Sequence, residues 1–200
     1  MTTEHFALQG ARAATIAEST GRATMFLASV SGGLIALGLV ATASRVGTAF
    51  YAFGLVLLPT LALVGFVTFE RVLQSAMDDL GLARRIALLR TYYFDNAPEL
   101  ASYMVRVTPS ERLRAQGVMA GSRQAFRTVA GMVGVVTAVL AGSAAALIAI
   151  LVSDHSLPAA VISGAVVAIG VLVPLMRFQW VTLTRIASTA LITSQSEEPA

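Results

Sequence analysis

The side chains with the greatest chemical potential lie between residues 70 and 127, where Arg84, Arg85, Arg90, Tyr92 and Tyr93 crowd together with Phe94. Guanidinium forks match phosphate oxygens, and aromatic faces can stack beside them. A phosphate-bearing ligand would suit such a cluster. At a membrane edge the same groups anchor a chain to anionic lipid headgroups, which is the reading preferred here. Arg123 and Arg127, just before an apolar run, would add to that surface. Nucleic acid is not expected as a partner, because this connection sets six carboxylates against nine Arg and carries no recognisable nucleic-acid motif.

The remaining reactive types do not assemble into a constellation. Asp78 and Asp79 are adjacent, so on a helix they point about 100° apart and read as a solvated patch rather than an acid/base pair. Ser153, Asp154 and His155 are triad types, but consecutive residues do not stack as nucleophile, base and orienter. Cysteine is absent, which excludes disulfides, thiolate nucleophiles and Cys-ligated metals. No P-loop, dinucleotide fingerprint or H-E-x-x-H motif occurs. The expectation is therefore no catalytic residue, no metal site, no cofactor and no enzyme. A lipid-directed enzyme, the reading set aside, would have to draw on Asp95, Glu99 and the nearby Arg residues.

The elements that carry these residues follow from hydropathy. Apolar side chains make up 56% of the 200 residues and charged ones 12%, against about a quarter charged in soluble domains. Four runs lack Asp, Glu and Arg: residues 23–44, 46–69, 128–153 and 155–176, each of 22 to 26 residues. At about 1.5 Å per residue the shortest covers roughly 33 Å, enough for a hydrocarbon layer about 30 Å thick. Four buried soluble helices of this length would leave too little polar surface to enclose them. The fold class is all-α, a polytopic membrane protein with four transmembrane helices. Its segments are an N-terminal piece (1–22), a first hairpin (23–69), a helical connection (70–127), a second hairpin (128–176) and a tail (177–200).

Orientation follows from arginine, since all 14 basic residues are Arg. Arg12 and Arg22, the nine in the connection, and Arg177 and Arg185 place thirteen on one side, leaving Arg45 alone on the other. Positively charged segments stay cytoplasmic, so both termini and the connection are expected there. His5 and His155 then lie on opposite sides and cannot share a metal. Ala41, Thr42 and Ala43 resemble a signal-peptidase box, but the apolar stretch before them exceeds the usual 7 to 15 residues, so the first span is read as retained.

Inside the runs, small residues recur every fourth position: Ala130, Gly134, Ala138, Gly142 and Ala146 in the third, Ala160, Gly164 and Ala168 in the fourth, and Ala28, Gly32 and Ala36 in the first. Such ridges let backbones approach, within one chain or between copies. No ionisable residue sits at membrane depth within a run, which argues against a coupled carrier or pump, and Pro59 and Pro174 read as tolerated kinks. After the second run, Phe69, Val72, Leu73, Ala76, Leu80 and Ala83 share a helical face opposite Glu70, Arg71, Gln74, Ser75, Asp78 and Arg85. The helix is expected to continue into the connection, with a bend or cap at Gly81 before a rotated stripe of Leu82, Ile86, Leu89 and Tyr93. Pro98 and Glu99 mark a short helix. Thr108, Pro109, Ser110 and Glu111 form a capping box whose helix is expected to run through Arg127 into the third span. The second and third helices would thus protrude as a cytoplasmic stalk pair, while residues 194–200 read as a frayed end.

The run TFERVLQSAMDDLGLARRIALLRTYYFDNAPEL, residues 68–100, preceded by LVLLPTLALVGFVTF, resembles the membrane-exit segment of a group of uncharacterised actinobacterial integral membrane proteins. The likeness extends over the first two spans and the start of the connection. It implies a bacterial plasma membrane and brings no activity, cofactor or functional residue. The function expected is a non-enzymatic, homo-oligomeric scaffold or docking component in the lipid bilayer, contacting a cytoplasmic or membrane protein partner. A small pore or transport protein gated by the stalk helices is the alternative.

Overall fold

A backbone flanked by apolar side chains must satisfy its N–H and C=O groups within its own segment, which favours helices throughout the charge-free runs. The computed structural model describes residues 2–96, 128–153 and 156–196. Its described residues form four helices: α1 (Thr2–Ser44), α2 (Thr48–Asn96), α3 (Val129–Val152) and α4 (Leu157–Ser196). All four are long and apolar enough to cross a membrane. Hydroxyls within them are turned back onto their own helix: Ser29, Thr60, Thr68 and Thr137 each donate to the carbonyl four residues earlier. The exterior thereby presents few bare donors.

The helices run alternately up and down. The α1–α2, α2–α3 and α3–α4 pairs hold the main contacts, with α2 and α3 inside and α1 and α4 flanking them. Phe26, Leu61, Phe69, Leu73, Val133 and Leu140 form the centre of one continuous core. Close approach is set by glycine. A Cβ at Gly142 would stand 2.5 Å from the Gly164 carbonyl oxygen and 2.8 Å from Ala168 Cβ, so α3 and α4 meet there backbone to backbone. At Gly65 on α2 a Cβ would run into the Thr137 hydroxyl and the Phe26 ring, so this position admits α1 and α3 together.

Large apolar side chains cover the outside instead. Val56 is 70% exposed, Leu63 68% and Ile169 60%, a continuous distribution that a water-facing surface would not carry. Small residues line the closest helix crossings, while many branched side chains remain outside.

Helix lengths depart from the expected stalk. α3 has 24 residues, about 36 Å at a rise of 1.5 Å. α1, α2 and α4 have 43, 49 and 40 residues, so each continues well past its charge-free run. All three extensions lie at the same end, called here the polar end. Thr128 stands at φ −79° and ψ 157°, and its hydroxyl accepts from Gly131 N. A helix passing unbroken from Arg127 into the third run is therefore corrected: the polypeptide leaves helical geometry at Thr128 because that side chain caps α3. The helix beside α2 is α1, whose start at Thr2 carries no strong sequence signal. The bend at Gly81 is also corrected. α2 passes through it, since one glycine costs about 1 kcal/mol against alanine without removing a backbone hydrogen bond. α2 and α4 likewise continue through Pro59 and Pro174, and α4 includes Ser194–Ser196, read above as frayed.

At the opposite end a tight turn joins α1 to α2. Val46 N donates to Ala41 O, closing α1, while Arg45 and Val46 hold φ of 49° and 58°. That left-handed cap usually falls to glycine. Here Arg45 and Val46 take it, and Gly47 follows outside the left-handed region, where a Cβ would stand 2.8 Å from the Ser44 carbonyl oxygen.

Gly142→Leu is expected to destabilise the purified protein by about 1 to 3 kcal/mol, the usual effect of overpacking where backbone cannot move. Gly32→Leu should cost nothing within the chain, because no atom lies within 4 Å of a Cβ there. Reversible unfolding in mixed detergent micelles compares the two.

Candidate functional site

All four helices converge at the polar end, and two side-chain links organise them. The first joins α1 to α2. Arg12 Nε donates to Asp79 Oδ1 at 2.6 Å and its Nη2 to Oδ2 at 3.2 Å, a two-pronged pair with both side chains partly covered. The register that makes it possible is continuous. Phe26 faces Gly65, and fourteen residues back along α1 and fourteen forward along α2 Arg12 meets Asp79. Antiparallel packing thus persists for about four turns beyond that crossing. Asp79 is therefore corrected from a solvated residue to an interhelical partner, whereas Asp78 is exposed.

The second link joins α3 to α4. Gln179 is fully buried, and its Nε2 donates to Thr128 Oγ1 at 2.8 Å. The Thr128 oxygen also accepts from Gly131 N at 3.0 Å. One hydroxyl thereby starts α3 and holds α4 against it, and the buried amide nitrogen has the acceptor that burial requires.

Between these links lies a cleft of about 210 Å³. Thr15 and Ser19 of α1, Ser75 and Asp79 of α2, Thr128 before α3 and Gln179 of α4 line its polar part, above Val72, Leu73 and Ala130. The lining offers hydroxyls, one amide and a carboxylate already held by Arg12. Such groups have the donors and acceptors to hold a small hydrogen-bonding group. They do not pair a nucleophile with a base, and among the described residues no three of His, Asp and Glu cluster to hold a metal.

The residues singled out from the sequence fall in different places. Ala130, Gly134, Ala138, Gly142, Ala160 and Gly164 are buried, and Ala146 and Ala168 half-buried, along the inner seams. A Cβ at Gly134 would lie 3.0 Å from Met176 and 3.3 Å from Phe69. Ala28 and Gly32 are exposed and Ala36 half-buried, so the α1 ridge is not a seam within this chain. Arg85 is exposed on α2. Arg84, Arg90, Tyr92 and Tyr93 lie along the same helix, with side chains outside those described. Arg123, Arg127 and the helices expected after Pro98 and Thr108 lie outside the described residues.

Sequence reasoning missed Arg12, Asp79, Thr128 and Gln179 as a site. Thr128 had a readable signal, a hydroxyl directly before an apolar run. Gln179 had a weaker one, its i+4 spacing between Leu175 and Leu183. Nothing local pairs Arg12 with Asp79, 67 positions away.

No protein-family model matches the chain, and neither does any curated protein or solved structure. Its functional reading rests on its own geometry.

In a double-mutant cycle, Arg12→Ala and Asp79→Ala should show a coupling of about 1 kcal/mol, at the upper end for partly exposed pairs because the contact is two-pronged. Thr128→Val should cost about 2 kcal/mol by removing a cap and stranding a buried amide, while Thr128→Ser retains most of the stability. Both are read from unfolding midpoints in micelles.

Proposed function

We propose that the chain is a bacterial plasma-membrane protein with four spans and both termini cytoplasmic, acting as a non-enzymatic docking or scaffold component. Its support is physical. The four long apolar helices carry many branched side chains outward, and thirteen of the fourteen Arg in the sequence lie outside the turn between the first two charge-free runs. The observation that carries the docking role is the prolongation of α1, α2 and α4 past their charge-free runs at that same end. Three helices leaving the bilayer together, two of them clamped by Arg12 and Asp79, make a rigid platform rather than a set of loose tails.

The stalk partner read from sequence falls before Thr128, outside the described residues; among the described residues it is α1 that runs beside the α2 extension. Its exposed residues include Gln9, Gln74, Asp78 and Arg85, a mixed polar surface suited to a protein partner. Self-association through the uncovered Ala28 and Gly32 ridge of α1 accompanies the docking role.

The absence of cysteine makes the test direct. Single cysteines at Thr48, in the α1–α2 turn region, and at Gln74, on the α2 extension, should label differently in intact cells. A membrane-impermeant maleimide is expected to modify the first and spare the second. The reverse pattern would turn the platform outward and remove the proposed role. Purified protein in liposomes should add no ion flux above empty vesicles; a selective flux would favour the pore alternative.

A further inference from the structure

Where the charge-free runs of the first hairpin end, α1 and α2 form a second cleft of about 190 Å³ with two arginines at its rim, Arg22 and Arg71. Its body is apolar and open to the outside: Met25 is 74% exposed, Val64 42% and Val67 51%, above the buried Phe26 ring. The hydroxyls that line it are spent on their own helices, since Ser29 donates to Met25 O and Thr68 to Val64 O. The cleft therefore offers cations at one end and hydrocarbon along the rest.

Neither guanidinium is committed to a buried partner. Arg22 donates to Glu18 Oε1 in an exposed pair on its own helix, from Nε at 3.0 Å and from Nη2 at 2.7 Å, and Arg71 donates to the exposed Gln74 at 3.4 Å. Contacts of this exposed kind contribute little and exchange readily for a stronger acceptor. A phosphate offers one, because charge-assisted bonds from two guanidiniums outweigh a single exposed carboxylate contact.

The geometry points to a binding site for one anionic phospholipid, its phosphate between Arg22 and Arg71 and an acyl chain in the groove over Met25, Val64 and Val67. It rests on the membrane reading above, and it lies apart from the Arg84–Tyr93 cluster read from sequence. Bilayer thickness accounts for the placement. Arg22 immediately precedes the first charge-free run and Arg71 follows the second by two residues, so both stand at headgroup depth while the groove reaches into the hydrocarbon.

Native mass spectrometry of protein reconstituted with phosphatidylglycerol and phosphatidylcholine, then released in mild detergent, tests the site. Wild type is expected to retain one phosphatidylglycerol in preference to phosphatidylcholine. Arg22→Gln with Arg71→Gln should reduce that retention about tenfold, the equivalent of one charge-assisted hydrogen bond. Arg22→Lys with Arg71→Lys should keep part of it, and soluble glycerol phosphate should not displace it, since it lacks the chain. Equal retention of both lipids, unchanged retention in the glutamine variant, or displacement by glycerol phosphate would overturn the proposal. Carbonate washing of the source membranes separates the two readings: release of the chain would remove both, whereas a chain that stays with the membrane but shows no lipid preference loses only this site.

Discussion

Close backbone contact between neighbouring helices is the constraint on which the rest of this structure depends. When both the helix exterior and its surroundings are apolar, expulsion of water contributes little to helix association, and short-range packing must supply the attraction. Gly142 and Gly164 allow α3 and α4 to touch through their carbonyls, and Gly65 makes room for the Thr137 hydroxyl and the Phe26 ring. Glycine, alanine and threonine occupy the closest crossings, Phe69, Leu73 and Val133 fill the core beside them, and many other bulky aliphatic residues remain outside. Val56, Leu63 and Ile169 therefore face outward for the same reason that Gly142 faces inward.

The two ends of the bundle obey different physics. At the turn end short connections hold each hairpin, even with Arg45 and Val46 in left-handed geometry. At the polar end the helices continue past the apolar runs, where glycine seams no longer suffice. Specific polar links take over: the Arg12–Asp79 pair between α1 and α2, and the Thr128–Gln179 hydrogen bond between α3 and α4. The cleft between those links exists because each pair is joined within itself, leaving space among the four. Arg22 and Arg71 fit the same division, since they stand where the charge-free runs of the first hairpin give way to charged sequence.

Periodicity served well where one force acts. The face of Phe69, Val72, Leu73 and Ala83 is buried and that of Glu70, Arg71, Gln74 and Asp78 exposed, because a single helical stripe decides which side meets a neighbour. It failed at Gly81, where local flexibility was read as a break although the backbone hydrogen bonds of α2 continue through it. It also failed at Thr128. The capping hydroxyl was visible, but the arginines before it were read as a prolongation of the same helix. For Asp79 a local charge pattern misled, since its partner comes from another helix.

Composition and hydropathy alone determined the all-α class, the four apolar runs and the uneven distribution of arginine, because each is summed along the chain and needs no neighbour. Tertiary structure decided which small-residue ridges are seams, burying Gly142 and Gly164 while leaving Gly32 uncovered. It also decided that α1 accompanies α2 beyond the apolar runs. Register between helices depends on distances across space, and the 67 positions separating Arg12 from Asp79 carry no trace of them.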